Sequence, residues 1–107
     1  MNSRLTRRFR RGYRTLPASV CLQARQAYRR WRENPNHPGL RFKQVSEPAS
    51  LYSVRVNQDY RAVGVLEGDT MYWDFIGNHA EYMRYLADRP RQSSVRDVGQ
   101  TAYNRSS

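Results

Sequence analysis

Between residues 51 and 76, three short segments of apolar, β-branched and aromatic residues are separated by turns of only a few residues. In residues 51–56, Tyr52, Val54 and Val56 fall on one face and Ser53 and Arg55 on the other, the period of a strand. Asn57-Gln58-Asp59 supplies turn chemistry, residues 60–66 return as the next strand, and Gly68-Asp69 turns the chain again. Residues 71–76, rich in aromatics, form another strand, and residues 40–45, closed by Glu47-Pro48, precede the set as the first. A parallel crossover needs a dozen or more residues, so these strands are expected to pair as an antiparallel meander.

Upstream the period changes from two to nearly four. Leu5, Phe9 and Tyr13 recur every four residues and are expected on one face of a short helix. Thr15-Leu16-Pro17 breaks it, and Pro17 suits the first turn of a second helix. There Val20, Ala24, Ala27 and Trp31 form a core-facing stripe flanked by Cys21 and Tyr28. Cys21 is read as a small buried side chain rather than a nucleophile. Residues 34–39 are dense in turn formers and make a loop. Asn78 opens a third helix, capping its first turn while Glu81 reaches back, with Tyr82, Tyr85 and Leu86 on the apolar side. That helix is expected to end before Pro90, and the polar, aperiodic residues 91–107 to form a mobile tail. The fold class is α+β: a helical hairpin on one face of a small antiparallel sheet of about four strands, with a short C-terminal helix. Residues 1–89 make a single domain and residues 90–107 a tail.

With 107 residues the chain has room for one small core. Its 19 basic residues against 9 acidic ones give a net charge of +10. Residues 1–32 hold ten arginines and no acid, whereas the remaining 75 residues balance nine basic against nine acidic side chains. Phe9, Tyr13, Tyr28 and Trp31 are interleaved among those arginines. The N-terminal third should therefore attract a polyanion or an acidic protein, and guanidinium groups fork onto phosphate or carboxylate as ammonium groups do not. No apolar run approaches the roughly 18 residues of a membrane span, and no apolar stretch follows the basic N-terminus as in a secretory signal. The lone Cys21 excludes a disulfide scaffold, and a cytoplasmic protein is expected.

Two histidines and one cysteine, far apart in sequence, argue against a metal site, and neither metal nor cofactor is expected. There is no glycine-rich phosphate loop and no serine nucleophile motif. What remains is Arg55 and Arg61 on adjacent strands, with His79 just beyond the last strand. A three-residue turn at 57–59 sets the two arginines opposite one another. A two-residue turn at 58 and 59 puts them on opposite faces, because one residue of register inverts a strand. His79 lies at the first turn of a helix, where the dipole favours an anion, and imidazole is the side chain suited to proton transfer near neutral pH. His37, in a proline-rich loop, carries no such signal.

The run from Tyr52 through Arg55-Val56-Asn57-Gln58-Asp59-Tyr60-Arg61 to Val63, followed by Trp73-Asp74-Phe75-Ile76-Gly77-Asn78-His79-Ala80-Glu81-Tyr82, resembles the RelE/ParE toxin superfamily. The Asn-Gln-acidic-x-Arg turn is similar to that of its YoeB-like branch, and Gly-x-His to that of YafQ- and HigB-like ribonucleases. The resemblance implies a toxin of a type II toxin–antitoxin pair, a metal-independent endoribonuclease that cleaves mRNA on the ribosome. It implies that Arg61 contacts the scissile phosphate and that His79 transfers a proton. Arg55 matches a more variable basic position, Lys43 lies on a strand that is often basic, and Tyr82 matches an aromatic position; the last two are assigned to RNA binding. An acidic antitoxin, mRNA and the ribosome are the implied partners, with oligomeric state left open. The alternatives are a gyrase-inhibiting toxin of the ParE-like branch and a non-catalytic nucleic-acid or ribosome-binding protein. One departure stands out: family members begin with a strand, whereas this chain is expected to start almost directly in a helix. Its sheet would then lack an edge strand, be completed by a partner, or reflect a late start codon.

Overall fold

A computed structural model describes residues 1–46 and 50–88. The elements run β1 (Asn2–Leu5), α1 (Arg7–Arg14), α2 (Ala18–Glu33), a 3-10 turn (Pro38–Leu40), β2 (Lys43–Ser46), β3 (Leu51–Arg55), β4 (Tyr60–Glu67), β5 (Thr70–Asn78) and α3 (His79–Asp88). The sheet has five strands in the order β1-β5-β4-β3-β2. The meander from β2 to β5 is antiparallel as expected, but β1 pairs parallel with β5, so the sheet is mixed. The two helices of the hairpin form the crossover from β1 to the opposite edge.

The first strand corrects the expectation that the chain starts in a helix. Leu5 lies in β1 and is exposed, so it shares no helical face with Phe9 and Tyr13. Strand β1 has almost no inward apolar face; backbone pairing and its end contacts hold it. Asn2 N–H donates to Asp69 O (2.9 Å), Arg32 Nη1 donates to Met1 O (2.9 Å), and the Ser3 and Tyr28 hydroxyls share a 2.6 Å bond. The helix begins after Thr6, whose hydroxyl accepts from Phe9 N–H at 3.2 Å, an ordinary N-cap.

Two further expectations shift locally. Leu40 belongs to the 3-10 turn and Arg41 caps it in the left-handed region (φ 48°), so β2 starts at Lys43 rather than at residue 40. Cys21 is half-buried, its Sγ lying 3.7 Å from Tyr13 O. Burial, with Cys21 adding to it, raises the Tyr13 phenol above its ordinary pKa. The proposed tail, residues 90–107, lies outside the described residues.

Alternation along the strands splits the core into two layers. On one face Val54, Ala62, Met71, Trp73 and Ile76 meet Ala27 and Trp31 of α2, with Phe9 and Tyr13 of α1 packed against them. On the other, Leu51, Val63 and Val65 meet Tyr82 and Tyr85 of α3. Covered on both sides, β4 is buried without interruption from Ala62 to Val65. At its centre Gly64 lets Trp73 and Met71 lie against the strand; a Cβ there would sit 2.9 Å from Trp73 Cε3 and 2.6 Å from Met71 Sδ.

Candidate active site

The Asn57 side chain decides the hairpin register. Its Oδ1 accepts from Asp59 N–H (2.7 Å) and Tyr60 N–H (2.9 Å), folding residues 57–59 into a three-residue loop closed by Val56 N–H to Tyr60 O at 3.0 Å. Asn57 Nδ2 also donates to Gln23 Oε1 (2.7 Å), tying the loop to α2. Arg55 therefore stands directly opposite Arg61, the first of the two registers the sequence allowed. Across β4, Arg61 pairs with Gly77 and Tyr60 with Asn78, which brings the pair beside the start of α3.

Both arginines are on the α3 face, because they continue the alternation through Ser53 and Val63, which pair with each other on that side. Lys43 pairs with Ser53 and so belongs to the same face, exposed on the edge strand. Lys43, Arg55 and Arg61 thus come from three adjacent strands, spaced about 4.8 Å apart. Arg55 and Arg61 are half-buried, and among the described residues neither guanidinium has an ion pair. Directly opposed like charges destabilise a strand pair, so this arrangement favours an anion between them.

His79 is exposed as the first residue of α3. The capping box expected from sequence is present: Glu81 N–H donates to Asn78 Oδ1 (2.9 Å) and Asn78 N–H to Glu81 Oε1 (2.8 Å). The Glu81 side chain lies over Gly77, where a Cβ would come 2.6 Å from Oε1 and 2.8 Å from Phe75 Cζ. Only glycine admits this close approach. Because the Glu81 carboxylate offsets the positive end of the helix, attraction for an anion rests mainly on the arginines. Replacing Asn78 by Ala should lower stability by about 1 kcal/mol in urea titration, and an unchanged midpoint would show that the cap does not carry the start of α3.

Tyr82 is only 8% exposed and packs in the core between α3 and the sheet, its ring centroid 6.1 Å from that of His79. It lies beside the imidazole, and little of its ring is left for a stacking base. In the sequence Asp74 is named only within the run that carries the family resemblance and is given no role. It is wholly buried, and its signal was a lone acid inside the aromatic strand 71–76. Among the described residues no three His, Cys, Asp or Glu gather as metal ligands. Among them, too, no helix is long and apolar enough to cross a membrane.

A sequence model of the ParE-like toxin domain matches residues 18–84, more than half of the chain. The chain belongs to this family. ParE-like toxin domains sit within the RelE/ParE superfamily, and solved structures bear out the fold. YafQ from E. coli superposes with a TM-score of 0.63 at 10% identity, covering 76% of this chain and 96% of that one. A chain of the RelB-RelE antitoxin-toxin complex from Methanococcus jannaschii gives 0.58 at 16%, covering 76% and 95%. The YoeB dimer from Staphylococcus aureus gives 0.59 at 14%, covering 74% and 97%. At these identities the likeness is one of fold. By sequence, no curated protein matches this ParE-like chain.

Proposed function

We propose that this chain is the toxin of a toxin–antitoxin pair and cleaves mRNA on the ribosome as a metal-independent endoribonuclease of the cytoplasm. The observation that carries the reading is the register of the β3–β4 hairpin, which pairs Arg55 with Arg61 beside the helix start that bears His79. In the proposed reaction a ribose 2′-oxygen attacks the adjacent phosphorus and loses its proton to water. The P–O5′ bond breaks, leaving a 2′,3′-cyclic phosphate and a 5′-hydroxyl. Arg61, assisted by Arg55, neutralises the non-bridging oxygens as charge builds on them. The His79 imidazolium gives its proton to the departing 5′-oxygen. Lys43 holds a flanking phosphate, and Tyr82 supports the imidazole rather than stacking on a base.

An acidic antitoxin finds a complementary surface on the opposite face of the sheet. A groove of about 940 Å³ between the helical hairpin and the sheet has an apolar floor that includes Val54, Val56 and Ile76. Arg10, Arg14, Arg25 and Arg29 are among its lining residues. The solved RelB-RelE complex of a structural neighbour supports a partner of this kind.

The end chemistry of the fragments tests the reaction. Upstream fragments from a translating mRNA should carry a 2′,3′-cyclic phosphate and downstream fragments a 5′-hydroxyl, and His79→Ala should lower the cleavage rate about 10²–10⁴-fold. Upstream fragments ending in a free 3′-hydroxyl would contradict it. The match to the ParE-like toxin domain keeps the gyrase-directed toxin, implied by the resemblance, as the rival reading. Induced cells that keep their mRNA and accumulate DNA damage would decide for that rival.

A further inference from the structure

The bulge in β5 turns one side chain out of the regular alternation. Gly64 pairs with Trp73 and Val63 with Phe75, so Asp74 is the extra residue between them. Its carboxylate is fully buried and reaches both layers of the fold. Oδ1 accepts from the Thr6 hydroxyl (2.7 Å) at the start of α1, and Oδ2 accepts from the Tyr85 hydroxyl (2.8 Å) in α3. The Tyr85 ring stacks on Phe75 at 4.9 Å, and Phe75 in turn lies against Gly77, the partner of Arg61. Helix α3 is ten residues long and buries only Tyr82 and Tyr85 among its described side chains. Leu86 packs beside them and the Arg8 guanidinium lies 5.4 Å over the Tyr85 ring, and among these contacts the Tyr85–Asp74 hydrogen bond is a directional one that bears on the helix's rotation about its own axis. The capping box holds its first turn and the Tyr85–Asp74 bond its second.

We infer that Asp74 and Tyr85 are positioning residues that set the rotation of α3 and thereby hold His79 against the Arg55–Arg61 pair. This rests on the proposed ribonuclease reading for its kinetic consequence, but not for its structural one. Asp74 suits the task because its two oxygens are held from opposite layers: the Thr6 side fixes the carboxylate to β1 and α1, and the Tyr85 side transmits that position to α3. A displacement of about an ångström at the reacting groups is enough to slow a positioned proton transfer substantially.

Tyr85→Phe keeps the ring stack on Phe75 and removes only the hydroxyl, whereas Thr6→Val removes the Thr6 bond to the same carboxylate together with the α1 cap. Both variants are followed by thermal unfolding, by kcat and KM for RNA cleavage, and by the imidazole 1H–13C NMR signals. The chain has two histidines, so His37 serves as the internal reference. Tyr85→Phe should move the His79 signal and lower kcat about tenfold or more with KM little changed. Thr6→Val, which leaves the Tyr85–Asp74 bond in place, should lower the melting temperature, move the His79 signal less than Tyr85→Phe does, and reduce kcat by a smaller factor. An unmoved His79 signal in Tyr85→Phe, or equal shifts in both variants, overturns the inference. If the wild type does not cleave RNA, the ribonuclease reading fails while the NMR comparison still decides the positioning role.

Discussion

Arg61→Ala should lower RNA cleavage by about 10²–10³-fold and leave the fold as stable as wild type or slightly more so. The two halves of this result have one cause. Arg61 lies on β4 directly opposite Arg55, and among the described residues no carboxylate forms an ion pair with either guanidinium. Removing one of two opposed like charges relieves a repulsion of about 0.2–1 kcal/mol in the free protein. In the proposed transition state that same charge would face the negative charge growing on the non-bridging oxygens, so its loss should fall on kcat. Arg55→Ala should relieve the same repulsion with a smaller kinetic effect, because Arg55 is one strand further from Gly77 and the start of α3. Steady-state kinetics with denaturant titration on both variants checks this. An Arg61→Ala protein that cleaves at the wild-type rate, or fails to fold, would refute it.

The largest loss of stability is expected from Trp31→Ala. Trp31 is 2% exposed and joins α2 to the sheet, its ring meeting Trp73 edge-on at 5.1 Å, Phe42 at 6.1 Å and Tyr28 at 6.2 Å. Truncation removes this packing and leaves a cavity in its place, a loss of about 3–5 kcal/mol. One term acts the other way: among the described residues the buried indole N–H of Trp31 has no protein acceptor, so the substitution also removes a donor without a partner there. The packing loss is the greater, and it is a large share of the roughly 5–15 kcal/mol that holds a small domain folded. The urea midpoint should fall accordingly, and a loss under about 1 kcal/mol would show that α2 is held by other contacts.

How far the sequence could be read follows from what each element owes to its own residues. The meander was legible because strands with such short connections have one way to pair, and Val20, Ala27 and Trp31 are buried as their spacing implies. The Asn78–Glu81 cap was legible because both groups act within one helical turn. Strand β1 was not. Asn2, Ser3, Arg4 and Leu5 carry no alternating pattern, and their pairing depends on β5, some seventy residues away in the chain. The hairpin register was legible only as two alternatives, since the two hydrogen bonds accepted by Asn57 are what select one. Tyr82 was correctly assigned to the apolar side of α3, and that same burial leaves little of its ring to contact RNA. Asp74 was hidden because nothing local marks a bulge; its partners Thr6 and Tyr85 converge on it only in the folded chain.

The most direct test of the central claim is primer extension on a defined mRNA in a purified translation system, with wild type and His79→Ala side by side. Discrete cuts in the ribosome-bound message from wild type, and none from the folded His79→Ala protein, are the expected result. Wild type that leaves the message intact, or His79→Ala that cuts it equally well, would contradict the assignment of RNA cleavage to this site.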